Sequence, residues 1–477
     1  MLTRVLGLVS TLILVRLLVP KDFGLVALAT GFSQGVLALS AFGIDEAVIR
    51  QRDATREVYD TAFTINLIRG LVTAMAVALC AWPVAAFFED PRLVPILLVL
   101  AGCTLIAGFE NIGIVEFRRH FEFHKEFRLL MLPRLCAIGV TIASALVWRS
   151  HWALIAGIAT GQVLETGMGY VMHPYRPRLG FAAWRQLATF SIWSWAVSVA
   201  IMIRDRLDGF VIGRMLGITQ VGVYSAGAEI ALLPTYELAA PLSRVCFSSF
   251  AAASREEQEI ASTYLRILAT VIVVSLPIAT GVSMVAGPVV MLTFGPAWMG
   301  AADVVRILGF SGVMLAPGLV TATLLSAHGL LRSGFYINLV SVVVRATSAI
   351  ALVQLFGLIG AAAAHALTIV IENSAYIVIA FRRFQIRLPD AWRLVWRGIC
   401  ATLAMVGVLT AGGLGSGTTA PAQSLSVAVV AGAAVYGGVL LGAWALSGRP
   451  DGAETDLLML ARRVLGRRVV NPADRGD

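Results

Sequence analysis

The sequence predicts an all-α polytopic membrane protein of about fourteen transmembrane helices, and three observations carry that expectation. Hydrophobic residues make up 58% of the 477-residue chain and charged residues only 14%, against about 25% charged in soluble domains. Mean hydropathy is +0.83. Apolar runs recur along the whole length, each long enough to cross a hydrocarbon core of about 30 Å, which needs roughly 20 apolar residues. In lipid each span must satisfy its own backbone polar groups, so the spans are helices.

In chain order the expected spans are Thr3–Val19, Leu25–Phe42, Thr61–Trp82, Leu93–Ile114, Leu129–Trp148, Trp152–Met172 and Leu187–Gly213. The second seven are Val221–Leu242, Leu265–Met284, Ala302–Ala327, Phe335–Leu355, Leu358–Phe381, Gly398–Leu414 and Leu425–Leu446. The first run ends in RLLVPKDFG with no small-residue cleavage site behind it, so it is expected to remain a span rather than a cleaved signal. It has fifteen residues before Arg16, whereas span seven has more than twenty before Arg214; a start site placed too far downstream would explain the difference. Between spans the loops are short, and the largest, near Gly287–Gly300 and Gly415–Ser424, are Gly/Pro-rich turns.

Basic residues set the expected orientation. Segments after even-numbered spans are rich in them: Arg50, Arg52 and Arg56; Arg118, Arg119, Lys125 and Arg128; Arg176, Arg178 and Arg185. The bias continues through Arg382, Arg383, Arg387, Arg393 and Arg397, then the tail from Arg449 to Arg475. Segments after odd-numbered spans hold Lys21, Arg92, Arg149 and Arg214. The positive-inside rule then places both termini in the cytoplasm. The net charge of +9 is dispersed over these loops instead of forming the basic face of a nucleic-acid-binding module. The tail segment DLLMLARRVLGRRVV is expected to lie on the inner leaflet as a basic amphipathic helix, with Leu457, Leu460, Ala461, Val464 and Leu465 sharing one face.

Nothing in the pattern suggests catalysis, a metal or a cofactor. Cys80, Cys103, Cys136, Cys246 and Cys400 lie in or beside apolar runs without a C-x-x-C pair, and read as small core residues. The six histidines lack metal-ligand spacing. GGLGSG at Gly412 has no following Lys-Ser/Thr, so it is no phosphate loop.

The halves echo one another. VRLLVPKDFGLVALATG, between spans one and two, aligns with GRMLGITQVGVYSAGAE, between spans seven and eight: Arg16 falls on Arg214, Leu18 on Leu216 and Gly24 on Gly222, an offset of about 198 residues. WALIAG at Trp152 pairs with FGLIGA at Phe356 at a similar offset. Such self-similarity implies two like bundles. An even number of spans separates the copies, so the repeats are parallel, an architecture that holds substrate between halves and rocks to alternate access.

Ionisable residues within spans cost at least about 2.5–3.5 kcal/mol at a helix centre, so each needs a reason. Span seven carries Arg204, Asp205, Arg206 and Asp208; elsewhere stand Arg69, Arg134, Glu165, Glu229, Arg306, Arg345 and Glu372. Arginines facing a shared cavity would fork onto diphosphate oxygens. Against that stands interhelical pairing, or snorkelling of charges near helix ends. Arg69, Arg204, Arg206 and Arg345 lie well inside their spans and are the leading anion-site candidates. Asp208 is expected to hold Arg204 one turn away, or to titrate with a coupling proton; Glu165, Glu229 and Glu372 are the other coupling or salt-bridge candidates.

RLLVPKDFGLVALA, FRRHFEFHKEF, YRPRLGF followed by ATFSIWSW, DGFVIGRMLGITQVGVYSAG, LTFGPAWMGAADVVRILG and LSAHGLLR stand in order over spans one to twelve. In that order and spacing the chain resembles the Wzx-type flippases of the multidrug/oligosaccharidyl-lipid/polysaccharide exporter superfamily. The resemblance implies two six-helix lobes, here residues 1–186 and 187–381, two peripheral helices in 382–446, and a cytoplasmic tail, 447–477. It implies a cationic cavity and undecaprenyl-diphosphate-linked oligosaccharide as cargo, flipped across a bacterial inner membrane, with other polysaccharide assembly proteins as candidate partners. It adds Arg16, matching the family's Arg before the Pro turn. The polar lead that usually precedes the family's first helix is missing. The competing expectations are a membrane glycosyltransferase or glycan polymerase, and a same-fold exporter of lipid II or drugs.

Overall fold

The computed structural model describes residues 2–40, 48, 55–184, 192–252, 257–414, 420–450, 452–455 and 457–458. All regular structure among them is helical. The first eight helices are α1 (Leu2–Leu17), α2 (Pro20–Leu39), α3 (Arg56–Phe87), α4 (Leu93–Gly108), α5 (Val115–Arg119), α6 (Phe123–Trp148), α7 (Trp152–Met172) and α8 (Ile192–Met215). There follow α9 (Ile218–Ala252), α10 (Glu257–Met284), α11 (Ala286–Thr293), α12 (Ala301–Ala327), α13 (Leu331–Arg383), α14 (Leu388–Ala411) and α15 (Pro421–Leu446).

Their boundaries follow from local chemistry. Proline begins α2 and α15 and stands in the first turn of α14, where its missing N–H would have no intrahelical partner. Gly357 breaks α13 with φ 58° and ψ −131°, a backbone region open essentially to glycine. That break falls between the two spans expected there. The expected fourth span is bent: α4 and the Ile112–Arg119 segment meet at 65°.

Among the described residues, eight helices are long and apolar enough to cross a membrane, or up to nine if the bent pair is one broken span. The rest include α1 and α4, at 16 residues each, and α8, whose charges interrupt its apolar run. Fourteen crossings is therefore a proposal built on the order of the apolar runs. Large apolar side chains stand exposed along many helices, among them Leu79 at 69%, Trp82 at 59% and Val171 at 86%. Such surface fits a lipid solvent.

By packing, the chain forms two compact units: Met1–Ala226 with Phe294–Trp298 and Val342–Ala361, and Gly227–Thr293 with Met299–Ser341 and Ala362–Asp477. In the first, α2 and the start of α9 cross at backbone contact. A Cβ on Gly24 would overlap the Ile218 carbonyl, and one on Gly222 would overlap the Pro20 carbonyl. Pro20 and Ile218 share the offset of the echoed glycines, so the contact is reciprocal, as at an interface between elements related by a two-fold axis. Trp298 docks into the same unit, donating from Nε1 to the Val15 carbonyl at 3.2 Å and meeting Phe23 edge-on at 5.3 Å between centroids. Asp22 accepts from the His151 backbone N–H at 3.1 Å, tying the start of α2 to the α6–α7 turn.

The second unit is cored by Phe250, Tyr264, Leu268, Val320 and Leu324, with Tyr264 and Thr321 hydroxyls 2.8 Å apart. Here the tail departs from expectation. Glu454 is 2% exposed and receives Arg397 Nε at 2.6 Å and Nη2 at 3.0 Å. Ala453 and Leu457 pack with Ala269, Val273, Ala401 and Leu440. Leu457, expected to face lipid, is held by protein, because the buried ion pair pulls the start of the tail onto α14. The rest of the expected amphipathic helix, like Arg50, Arg52 and Arg185, lies outside the described residues.

Candidate functional site

The span charges resolve into separate arrangements, each set by the helix carrying them. On α8, Asp208 is 3% exposed, and Arg345 of α13 is 2% exposed. Arg345 Nη2 donates to Asp208 Oδ2 at 2.9 Å, and Nε lies 2.8 Å from Oδ1. Tyr224, from α9, donates its hydroxyl to the same Oδ2 at 2.5 Å. Three buried polar groups thus meet within the first compact unit, with both hydrogen bonds going to Asp208 Oδ2, while Arg345 Nε and Asp208 Oδ1 are in ion-pair contact without a hydrogen bond. The geometry gives Arg345 to Asp208 and leaves its guanidinium engaged rather than offered to a ligand.

Arg204 takes its neighbour Asp205, with Nε 3.1 Å from Oδ1; Asp208, expected to hold Arg204, is engaged by Arg345 and Tyr224. Arg206 lies two residues from Asp208, about 200° around the helix, and so points elsewhere. Its Nη2 donates to Gln34 Oε1 on α2, and its methylenes lie against Gly31. Gly31 supplies no side chain, which leaves room for the guanidinium stem.

Arg16 is exposed at the end of α1, with its guanidinium beside Gly295. Arg69 of α3 is half-buried, and its Nε has no hydrogen-bond partner among the described residues. Arg134 of α6 is exposed beside Gly7 and lines a groove of about 470 Å³ with Gln162 and Glu165. Glu165 also lines a smaller cavity of about 80 Å³ with Asn66 and Glu110. In the second unit Glu229 is exposed and Glu372 half-buried, while Arg306 is exposed and pairs with Asp303 at 2.6 Å.

Four participants were missed by sequence reasoning. Tyr224 and Gln34 complete the Asp208 and Arg206 contacts, and Asn66 and Glu110 line the Glu165 cavity. Gln34 and Asn66 had a readable signal, since amides within apolar runs need a partner as charges do. Tyr224 had none, because tyrosine is ordinary in such a run.

Among the described residues no three His, Cys, Asp or Glu side chains converge on a metal site. The five cysteines are free, with Cys103 and Cys246 buried.

Comparison with known proteins adds family and fold. Residues 13–303 match the family described as polysaccharide biosynthesis protein. The chain is 25% identical over 337 residues to the lipopolysaccharide biosynthesis protein WzxC of Escherichia coli (strain K12), covering 70% of this chain and 68% of that protein. It is 25% identical over 314 residues to the succinoglycan biosynthesis transport protein ExoT of Rhizobium meliloti (strain 1021); that alignment spans 65% of this chain and 63% of the relative's length. Among solved structures, the lipid II flippase MurJ in an inward closed conformation superposes with a TM-score of 0.75 at 12% identity, over 93% of this chain and 97% of that one. An inward-facing multidrug resistance transporter of the MATE family gives 0.61 at 17% identity, over 82% and 96%. At these identities the structures establish the fold.

Proposed function

The chain belongs to the polysaccharide biosynthesis protein family, and from that membership we infer that it is a flippase. It moves undecaprenyl-diphosphate-linked oligosaccharide from the cytoplasmic to the periplasmic leaflet of a bacterial inner membrane by alternating access. The single observation that carries this reading is the match over residues 13–303, whose relatives include a protein named for succinoglycan transport. The chain is a transporter and not an enzyme, in keeping with the fold it shares with flippases and exporters.

The cargo's chemistry assigns work to the arginines. A diphosphate entering the membrane keeps its charge and loses its water, and fixed guanidinium donors replace that hydration through paired, charge-assisted bonds. Arg206 is the leading ligand, because a neutral amide holds it and its charge remains uncompensated by Gln34. Arg69, Arg204, Arg16 and Arg134 are the remaining candidates. Arg345 we place in support: locked to Asp208, it fixes α8 and so aims Arg206.

The test is graded substitution in cells that depend on this chain for surface glycan. Arg206→Ala should abolish export and Arg206→Lys reduce it partly at unchanged protein abundance, since lysine keeps charge and loses the fork. Normal export by Arg206→Ala, Arg204→Ala and Arg69→Ala alike would reject the site.

A further inference from the structure

After α7 the chain runs through HPYRPRLGFAAW, residues 173–184, with no regular structure from His173 to Phe181. Pro174 and Pro177 keep it extended, because each fixes its own φ and disfavours the helical region for the residue before it. Neither has an N–H, and three of the N–H groups that remain are taken by one face of α3. Arg178 N–H donates to Asp60 Oδ1 at 3.0 Å, Gly180 N–H to Thr64 Oγ1 at 2.9 Å and Ala183 N–H to Thr61 Oγ1 at 3.2 Å. The Tyr175 hydroxyl donates to the same Asp60 oxygen at 2.5 Å, and Tyr175 and Ala183 pack with Val58, Tyr59 and Ala62 of α3. Asp60, Thr61 and Thr64 share one face of α3, so about one turn of helix fixes the segment as a strap.

Pinned on that side, the strap leaves its large apolar side chains uncovered. Leu179 is 72% exposed, Phe181 54% and Trp184 53%. Apolar groups of this size held exposed together mark a surface with a partner, and the neighbouring charges say which. Arg178 is exposed, and its side chain makes no hydrogen bond or ion pair with any described residue. Arg176 Nη1 donates to the His173 and Tyr175 carbonyls at 2.8 and 3.0 Å, neutral partners that leave its charge uncompensated. Arg56 reaches Asp60 only at 3.8 Å. With Asp60 and the exposed Glu57 set against these three arginines, the patch is net cationic. The depth agrees. Asp60 to Thr64 covers about 6 Å of helix at the expected start of the third span, and the headgroup layer of one leaflet is about 5–8 Å thick. Aromatic and basic side chains together at that level are the composition of a membrane interface.

We propose that residues 174–184 lie in the headgroup layer beside α3 as a lipid-binding strap. Leu179, Phe181 and Trp184 meet acyl chains, and Arg178, aided by Arg56 and Arg176, holds the phosphate of an anionic phospholipid. A segment that the sequence marks as a loop between spans is thereby part of the membrane-embedded surface. The contact needs no cargo and goes beyond the transport reading. Only the choice of leaflet, the cytoplasmic one, rests on the proposed orientation.

The experiment places photoreactive p-benzoylphenylalanine, one position at a time, at Leu179, Phe181 and Leu79 of the full chain. Each protein is held in nanodiscs of phosphatidylcholine and phosphatidylglycerol in equal amounts, and adducts are identified by mass. Positions 179 and 181 should capture lipid, with phosphatidylglycerol favoured by about fivefold, the preference that one arginine near the surface confers. Leu79, 69% exposed within the third span, should capture lipid as well and is the control for folded, inserted protein. Arg178→Gln should abolish the preference at position 181 and Arg178→Lys retain it, with capture at position 79 unchanged by either. Capture at 79 without capture at 179 and 181, equal capture of the two lipids with Arg178 present, or a preference that Arg178→Gln leaves intact overturns the proposal. So does capture of a protein in place of lipid at position 181 in whole membranes. A strap that captures anionic lipid in a chain that moves no lipid-linked glycan would contradict the transport reading alone.

Discussion

Asp208, Arg345 and Tyr224 illustrate how charge is carried into an apolar bundle at residue scale. Burying an ion pair is tolerated when its remaining lone pairs are filled, and Tyr224 fills one of Asp208's. Removing one partner strands the other. Arg345→Ala and Asp208→Asn should each destabilise the purified protein by about 3–5 kcal/mol, and Tyr224→Phe by about 1.5–3 kcal/mol, read as loss of thermal stability in detergent. The double change Arg345→Met with Asp208→Leu should be milder than either single change. A double variant as damaged as the sum of the singles would show that the two residues act independently. Asp208 was legible in the sequence as a charge needing a reason. Its partner was not, because Arg345 is 137 positions away, whereas Arg204 stands one turn along the same helix.

Among elements, the α2–α9 crossing turns a sequence echo into a contact. The repeat identified Gly24 and Gly222 as equivalent, and the structure places each against the carbonyl beside the other. Gly24→Val or Gly222→Val must push two backbones apart, and should lower stability by about 1–3 kcal/mol, with reduced abundance in the membrane. Full abundance and unchanged melting for both would mean the helices do not cross there. The tail teaches the opposite lesson. Its amphipathic pattern predicts a lipid-facing surface, but Glu454 precedes that pattern and finds a buried arginine. Truncation after Gly448 should strand Arg397 and destabilise the chain, while truncation after Leu458 retains the pair and should not. Equal stability of the two truncations would refute a structural role for Glu454. Hydrophobic periodicity shows which face is apolar, not whether lipid or protein covers it.

At the scale of the whole molecule, composition and the spacing of apolar runs were enough for the all-helical membrane fold, because lipid permits few alternatives. The residues proposed to face the cargo were less legible. A sequence shows that a charge lies within a span, and only three-dimensional packing separates Arg345, already paired, from Arg206, held by an amide. The proposed orientation rests on the arginine bias of the loops. Reporter fusions after Gly448 and within Gly415–Ser424 should read cytoplasm and periplasm respectively, and reversal at either point would break the proposed topology. The central claim is movement of a lipid-linked glycan between leaflets, and reconstitution tests it most directly. Proteoliposomes loaded with undecaprenyl-diphosphate-linked oligosaccharide in one leaflet should expose it to a glycan-modifying probe on the other side faster than protein-free vesicles do, with Arg206→Ala at the protein-free rate. Exposure at the protein-free rate with the unaltered chain, or at an undiminished rate with Arg206→Ala, would contradict the account.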